Sequence, residues 1–231
     1  MELIFQIFRL LHIIAGFAAL FTFWIPIITK KGRKLHKRSG WVYVYAMIIV
    51  SISAFYMGVY RIFFDPQKTQ ETSAFALFLL FIAILSSATA WYGIRVLRFK
   101  RRQQRHTNVQ DILFPIVLLL SGLSISIYGF IIDFALLKYF SLLGIFLGII
   151  HLMYWLSRPK ANMHWLVEHI IGMLSCSIST ITAFVVFGAP RLLNVESVSL
   201  IIWFLPTIII VPLIIGFSTY YHRKYNPPNV A

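Results

Sequence analysis

Seven long apolar runs, each closed by a short polar stretch, recur along the chain near residues 10–29, 41–63, 73–97, 112–132, 136–156, 164–188 and 198–220. Each is long enough to cross a hydrocarbon layer of ~30 Å at ~1.5 Å per residue. Lipid gives a backbone N–H or C=O no partner, so the runs predict helices, and the two-residue alternation of a membrane barrel is missing. The pattern thus predicts an all-α bundle of about seven membrane-crossing helices, one domain over residues 1–222 with a short tail at 223–231. The opening "MELIFQIF" fits either an interfacial segment or an extension of the first helix. Pro26, Pro115, Pro206 and Pro212 are expected as kinks of the kind membrane helices tolerate.

Composition supports this picture: 59% of the residues are hydrophobic and 12% are charged, too few charges for a solvated globule. The formal charge of +14 invites a nucleic-acid reading, but the cations lie in loops rather than in one surface stripe. "KKGRKLHKRSG" holds Lys30, Lys31, Arg33, Lys34, Lys37 and Arg38; "RFKRRQQRH" holds Arg98, Lys100, Arg101, Arg102 and Arg105. The fifth loop adds Arg158 and Lys160, and the tail adds Arg223 and Lys224. The even-numbered loops are poor in cations and contain Asp65, Glu71, Asp133 and Glu196. This alternation predicts an outside N-terminus and a cytoplasmic C-terminus, with membrane lipids rather than nucleic acid as partners. Arg9 mildly opposes that orientation. No positively charged region precedes the first apolar run, so a signal peptide is not expected. Cys176, the one cysteine, falls inside the sixth helix and offers neither a disulfide framework nor a thiolate cluster. Trp24, Trp41, Trp155 and Trp165 stand near inner helix ends, where interfacial anchors are expected.

Ionisable groups inside a bilayer cost roughly 2.5–3.5 kcal/mol on insertion scales, so each calls for a reason. His12, His151, Glu168 and His169 lie at membrane depth, and His36, Asp111 and His164 stand at the cytoplasmic boundary. His106 and His222, among loop cations, read as solvated. Small residues accompany the three membrane histidines: Ala15, Gly16 and Ala19 beside His12, Gly144 and Gly148 beside His151, and Gly172, Cys176, Ser179 and Ala183 beyond His169. Such faces serve ordinary helix packing, with the histidine hydrogen-bonding across the interface, or they open room for a flat cofactor. His151 and His169 sit at matching depth, ~8–10 Å below the cytoplasmic boundary, whereas His12 lies near the outer one.

Three readings stay open. The first is a b-type haem held by His151 and His169 beside Gly148 and Gly172, with His12 at a second, outer position and a quinone or another redox protein as electron partner. The second is a zinc hydrolase acting on lipid-borne substrate, with His36, His151, His164 and His169 as candidate ligands and Glu168 or Asp111 activating water. His164 and His169 are five residues apart and diverge around the helix, so "HWLVEH" is not the two-histidine zinc helix. The third is a proton-coupled transporter or sensor in which Glu168 carries the proton. An alternative for Glu168 is a buried partner orienting His164 or His36.

Three segments, "LHIIAGFAAL", "LHKRSGWVYV" and "MHWLVEHIIGMLSCSISTITAFVV", resemble the bacterial membrane-protein family called domain of unknown function 2306. The resemblance spans roughly residues 8–188. It implies a bacterial cytoplasmic-membrane location and singles out His12, Gly16, His36, Gly40, His169, Ala183 and Phe184, but it supplies no activity. A looser similarity runs to two-haem membrane cytochromes of the b561 type through a His-x-x-x-Gly element. The chain departs from that pattern by not offering a histidine pair on each side of the membrane.

Overall fold

The computed structural model describes residues 2–193 and 200–227, and within them it is helical without a strand. Glu196, the start of the last apolar run and the final four residues of the tail lie outside the described residues. The first span combines α1 (Glu2–Thr22) and a short α2 (Trp24–Ile28), followed by α3 (Lys34–Phe63), α4 (Gln70–Arg95), α5 (Val109–Ile131) and α6 (Ala135–Leu156). Then come α7 (His164–Ala183), a π-helical turn over Phe184–Gly188, the short α8 (Ala189–Leu193) and α9 (Leu200–Tyr225). Among the described residues, seven helical stretches are long and apolar enough to cross a membrane. Ile52, Phe55, Leu120, Phe146 and Ile208 lie exposed on the bundle exterior, as lipid-facing side chains do.

Helices outlast the apolar runs. α1 begins at Glu2, which makes "MELIFQIF" part of the first helix, and α3 begins at Lys34 rather than at 41. Backbone hydrogen bonding does not need an apolar side chain, and long cationic side chains can extend from a helix beyond the hydrocarbon while their charged ends stay in water. Capping fixes other starts: Thr69 and Thr72 form a reciprocal capping box ahead of α4, and the Asn108 side chain receives the Gln110 N–H ahead of α5.

Basic loops gather at one end of the bundle. Asn162 N–H donates to the Asn226 side chain at 2.7 Å, joining the α6–α7 loop to the tail, and His106 N–H donates to Trp155 O at 2.9 Å. At the opposite end Tyr60 donates to Glu2 at 3.1 Å. The α5–α6 hairpin there is so tight that a Cβ on Gly129 would lie 2.7 Å from Lys138 N. Between the ends, Phe78 packs edge to face on Phe140 and Trp203, with centroids 5.4 and 5.1 Å apart, and Phe81, Leu118 and Leu137 complete an apolar core.

Candidate functional site

α4 and α7 cross at glycine. A Cβ on Gly172 would stand 2.7 Å from Gly93 Cα and 3.0 Å from Thr89 O, so only glycine permits this approach. The crossing brings the first turns of α7 against α4, and His169 Nδ1 donates to Gly93 O at 2.7 Å. A second histidine arrives from α3. The last carbonyls of α2 have no intrahelical partner, and Pro26 O accepts His36 Nδ1–H at 3.1 Å. A carbonyl only accepts, so both rings carry a proton on Nδ1, and in the neutral imidazole Nε2 is then left with its lone pair. The two ring centroids are 6.4 Å apart at an interplanar angle of 67°.

The pair begins a ladder. α3 and α7 both start at the basic end and run parallel, and they meet through side chains while α4 packs closely against each of them. Tyr43 donates to Cys176 Sγ at 3.3 Å and Thr180 Oγ1 donates to Met47 Sδ at 3.3 Å, both pairs separated by 133 positions, the same offset that relates His36 to His169.

His151 belongs to a neighbouring group. Its ring lies flat on Tyr92, 3.7 Å between centroids at 14°, is fully buried, and among the described residues has no hydrogen-bond partner on either nitrogen. Tyr92 in turn donates to Glu168 Oε2 at 2.5 Å, so the partner of Glu168 is a tyrosine of α4 rather than His164 or His36. His164 Nδ1 meets the Tyr154 hydroxyl at 2.9 Å. The ring facing His169 is therefore that of His36. Gly148 and Gly172 admit helices: a Cβ on Gly148 would lie 3.0 Å from Leu119 N of α5.

Asp111 is buried and engaged on both oxygens, by Arg95 Nε and an Arg95 terminal nitrogen at 2.5 and 2.6 Å and by His106 Nε2 at 2.7 Å. His106, expected in solvent, is drawn under the bundle by this carboxylate and by contact with Phe99 and Trp155. Trp155 is buried against Tyr92 and Phe99, not anchored at an interface as the sequence suggests. Arg102 closes the C-terminus of α6 by donating to the carbonyls of Tyr154, Trp155 and Ser157 at 2.8, 3.2 and 2.8 Å. Hydropathy hides Arg95 and Arg102 because a cation at the end of an apolar run reads as a topology signal. Tyr92 and Tyr43 carry no signal that separates them from packing aromatics.

His12 stands apart on α1, with Nδ1 near Val50 O at 3.1 Å and Ser53 Oγ at 3.0 Å. Among the described residues no three His, Cys, Asp or Glu side chains converge as a metal-holding group.

Neither the curated proteins nor the solved structures contain a match to this chain. Residues 9–108, which run from α1 to the cap of α5 and include His12 and His36, match the family described as predicted membrane protein (DUF2306), the family that the sequence resembles.

Proposed function

We propose that this integral membrane protein is an electron-transfer module that binds one b-type haem at its basic end, with His36 and His169 as the axial ligands. The observation that carries the reading is the pair of imidazoles from distant spans, each fixed by an Nδ1–H to backbone carbonyl bond, with Nε2 left for coordination. Metal-bound histidines commonly donate their other ring N–H to such a carbonyl, which sets the tautomer and raises ligand basicity. The number of donors favours haem over zinc. A structural or hydrolytic zinc site takes three or four protein ligands, whereas haem iron needs one or two.

We keep His169 in the axial role that the sequence reading gave it and exchange the proposed partner His151 for His36, whose ring faces it. His151, with Tyr92 against its face, is assigned to packing. Gly93 and Pro26 orient the rings through their carbonyls, and α4 holds the backbones at a fixed spacing. Bound haem would supply reversible one-electron transfer, and its partner is a membrane quinone or a redox protein at the face that the positive-inside rule assigns to the cytoplasm.

Absorbance of the protein after gentle detergent extraction tests this directly. A Soret band is expected in the wild type and in His151→Ala, and its loss is expected in His36→Ala and in His169→Ala. A colourless wild type after haem reconstitution, or a band indifferent to both ligand substitutions, overturns the assignment. Stoichiometric zinc in the same preparation would favour the hydrolase reading instead.

A further inference from the structure

The histidine pair sits among cations that lack an anionic partner among the described residues. Lys31 Nζ donates to Pro26 O at 2.8 Å and to Ile27 O at 2.7 Å, and Pro26 O is the same oxygen that receives His36. Lys100 arrives from the α4–α5 loop and rests its ammonium 4.6 Å over the ring of Trp165, one turn before His169. Partial burial pushes the Lys31 ammonium below its ordinary pKa through lost hydration. The ion pairs among the described residues are Arg61–Asp65, Arg95–Asp111, His106–Asp111 and Lys138–Asp133, none of which involves Lys31 or Lys100. Glu168, the adjacent carboxylate, is bonded to Tyr92.

Two ammonium groups from separate loops flank the imidazoles, Lys31 through the Pro26 carbonyl it shares with His36 and Lys100 on the face of Trp165, and among the described residues no carboxylate answers either. Such an arrangement is suited to an acidic guest, since oxyanions accept strong charge-assisted hydrogen bonds from ammonium groups. We infer that Lys31 and Lys100 form an oxyanion clamp beside the His36–His169 pair and that it receives the carboxylates of the porphyrin. The choice of guest rests on the haem reading above; the clamp itself rests on the unpaired lysines. A phosphate of an anionic lipid offers the same chemistry and is the competing source.

The test titrates full-length apo-protein with haem b and with its dimethyl ester, which keeps the iron and the macrocycle but lacks carboxylates. Wild type is expected to bind haem about tenfold or more tighter than the ester. Lys31→Gln combined with Lys100→Gln should bring haem down to the affinity of the ester while leaving ester affinity unchanged, and Lys34→Gln should alter neither. A double variant that keeps the preference for haem overturns the clamp. If neither porphyrin gives a Soret band in wild type, the haem reading has failed, and the clamp is then read from lipid. Retention of phosphatidylglycerol over phosphatidylcholine by wild type, lost in the double variant, supports it; equal retention by both proteins overturns it.

Discussion

Two polar clusters stand at the same end of this bundle, and they are built to opposite rules. In the cluster of Arg95, Asp111 and His106, the buried carboxylate is engaged on both oxygens and the guanidinium binds it through two nitrogens. The cluster of His36, His169, Lys31 and Lys100 has its Nδ1 atoms fixed, and among the described residues no carboxylate answers its Nε2 atoms or ammonium charges. The closed cluster ties the α4–α5 loop to the helix ends and fixes geometry. The open one keeps its coordinating capacity. A buried ion pair contributes little over a well-packed apolar substitute, yet removing one partner strands a charge. Stability and function are therefore expected to respond to substitution in opposite ways at the two clusters.

The largest expected effect is at the closed cluster. Asp111→Ala strands Arg95 and should lower stability by about 3–5 kcal/mol, read from unfolding in detergent. If this variant is as mild as a ligand-pair substitution, the contrast disappears. Next comes the crossing that sets up the open cluster. Gly172→Ala forces a Cβ against Gly93 Cα and should cost about 1–3 kcal/mol, whereas Gly16→Ala, with open space around its Cβ, should stay within about 0.5 kcal/mol in the same assay. An equal response of the two glycines would mean that the α4–α7 approach is looser than described.

His151→Leu sharpens the comparison from another side. It removes two buried nitrogens without partners and should raise stability by about 1 kcal/mol, seen as a higher melting temperature. A fall of similar size would instead show that a buried water satisfies the ring. The smallest change in stability belongs to the proposed ligand pair: His36→Ala should stay within about 1 kcal/mol of wild-type apo-protein while abolishing the Soret band. A large loss of stability in this variant would make His36 a structural residue.

Much of the bundle was legible in the sequence, because the length and apolarity of a span follow directly from the thickness of the layer it crosses. Helix ends were less legible: hydropathy marks where hydrocarbon begins, and α3 starts seven residues earlier. For the site, depth along the helices was readable but rotation about the bundle was not. His151 and His169 share a height, yet α4 presents Tyr92 to one and Gly93 O to the other. His36 read as a loop residue because cations surround it, and only the early start of α3 places it on a helix facing His169. The Arg95–Asp111 pair was invisible for a related reason. Its members lie sixteen positions apart across a loop, and no helical periodicity connects them.

The common offset of 133 between α3 and α7 has a mechanical corollary. Because imidazole, phenol–thiol and hydroxyl–thioether contacts all obey one register, sliding or turning either rod misaligns the three rungs together. Whatever grips the terminal rings thereby clamps the middle of the bundle too, and Cys176, deep in that seam, becomes a built-in strain gauge whose alkylation rate should fall when the grip closes.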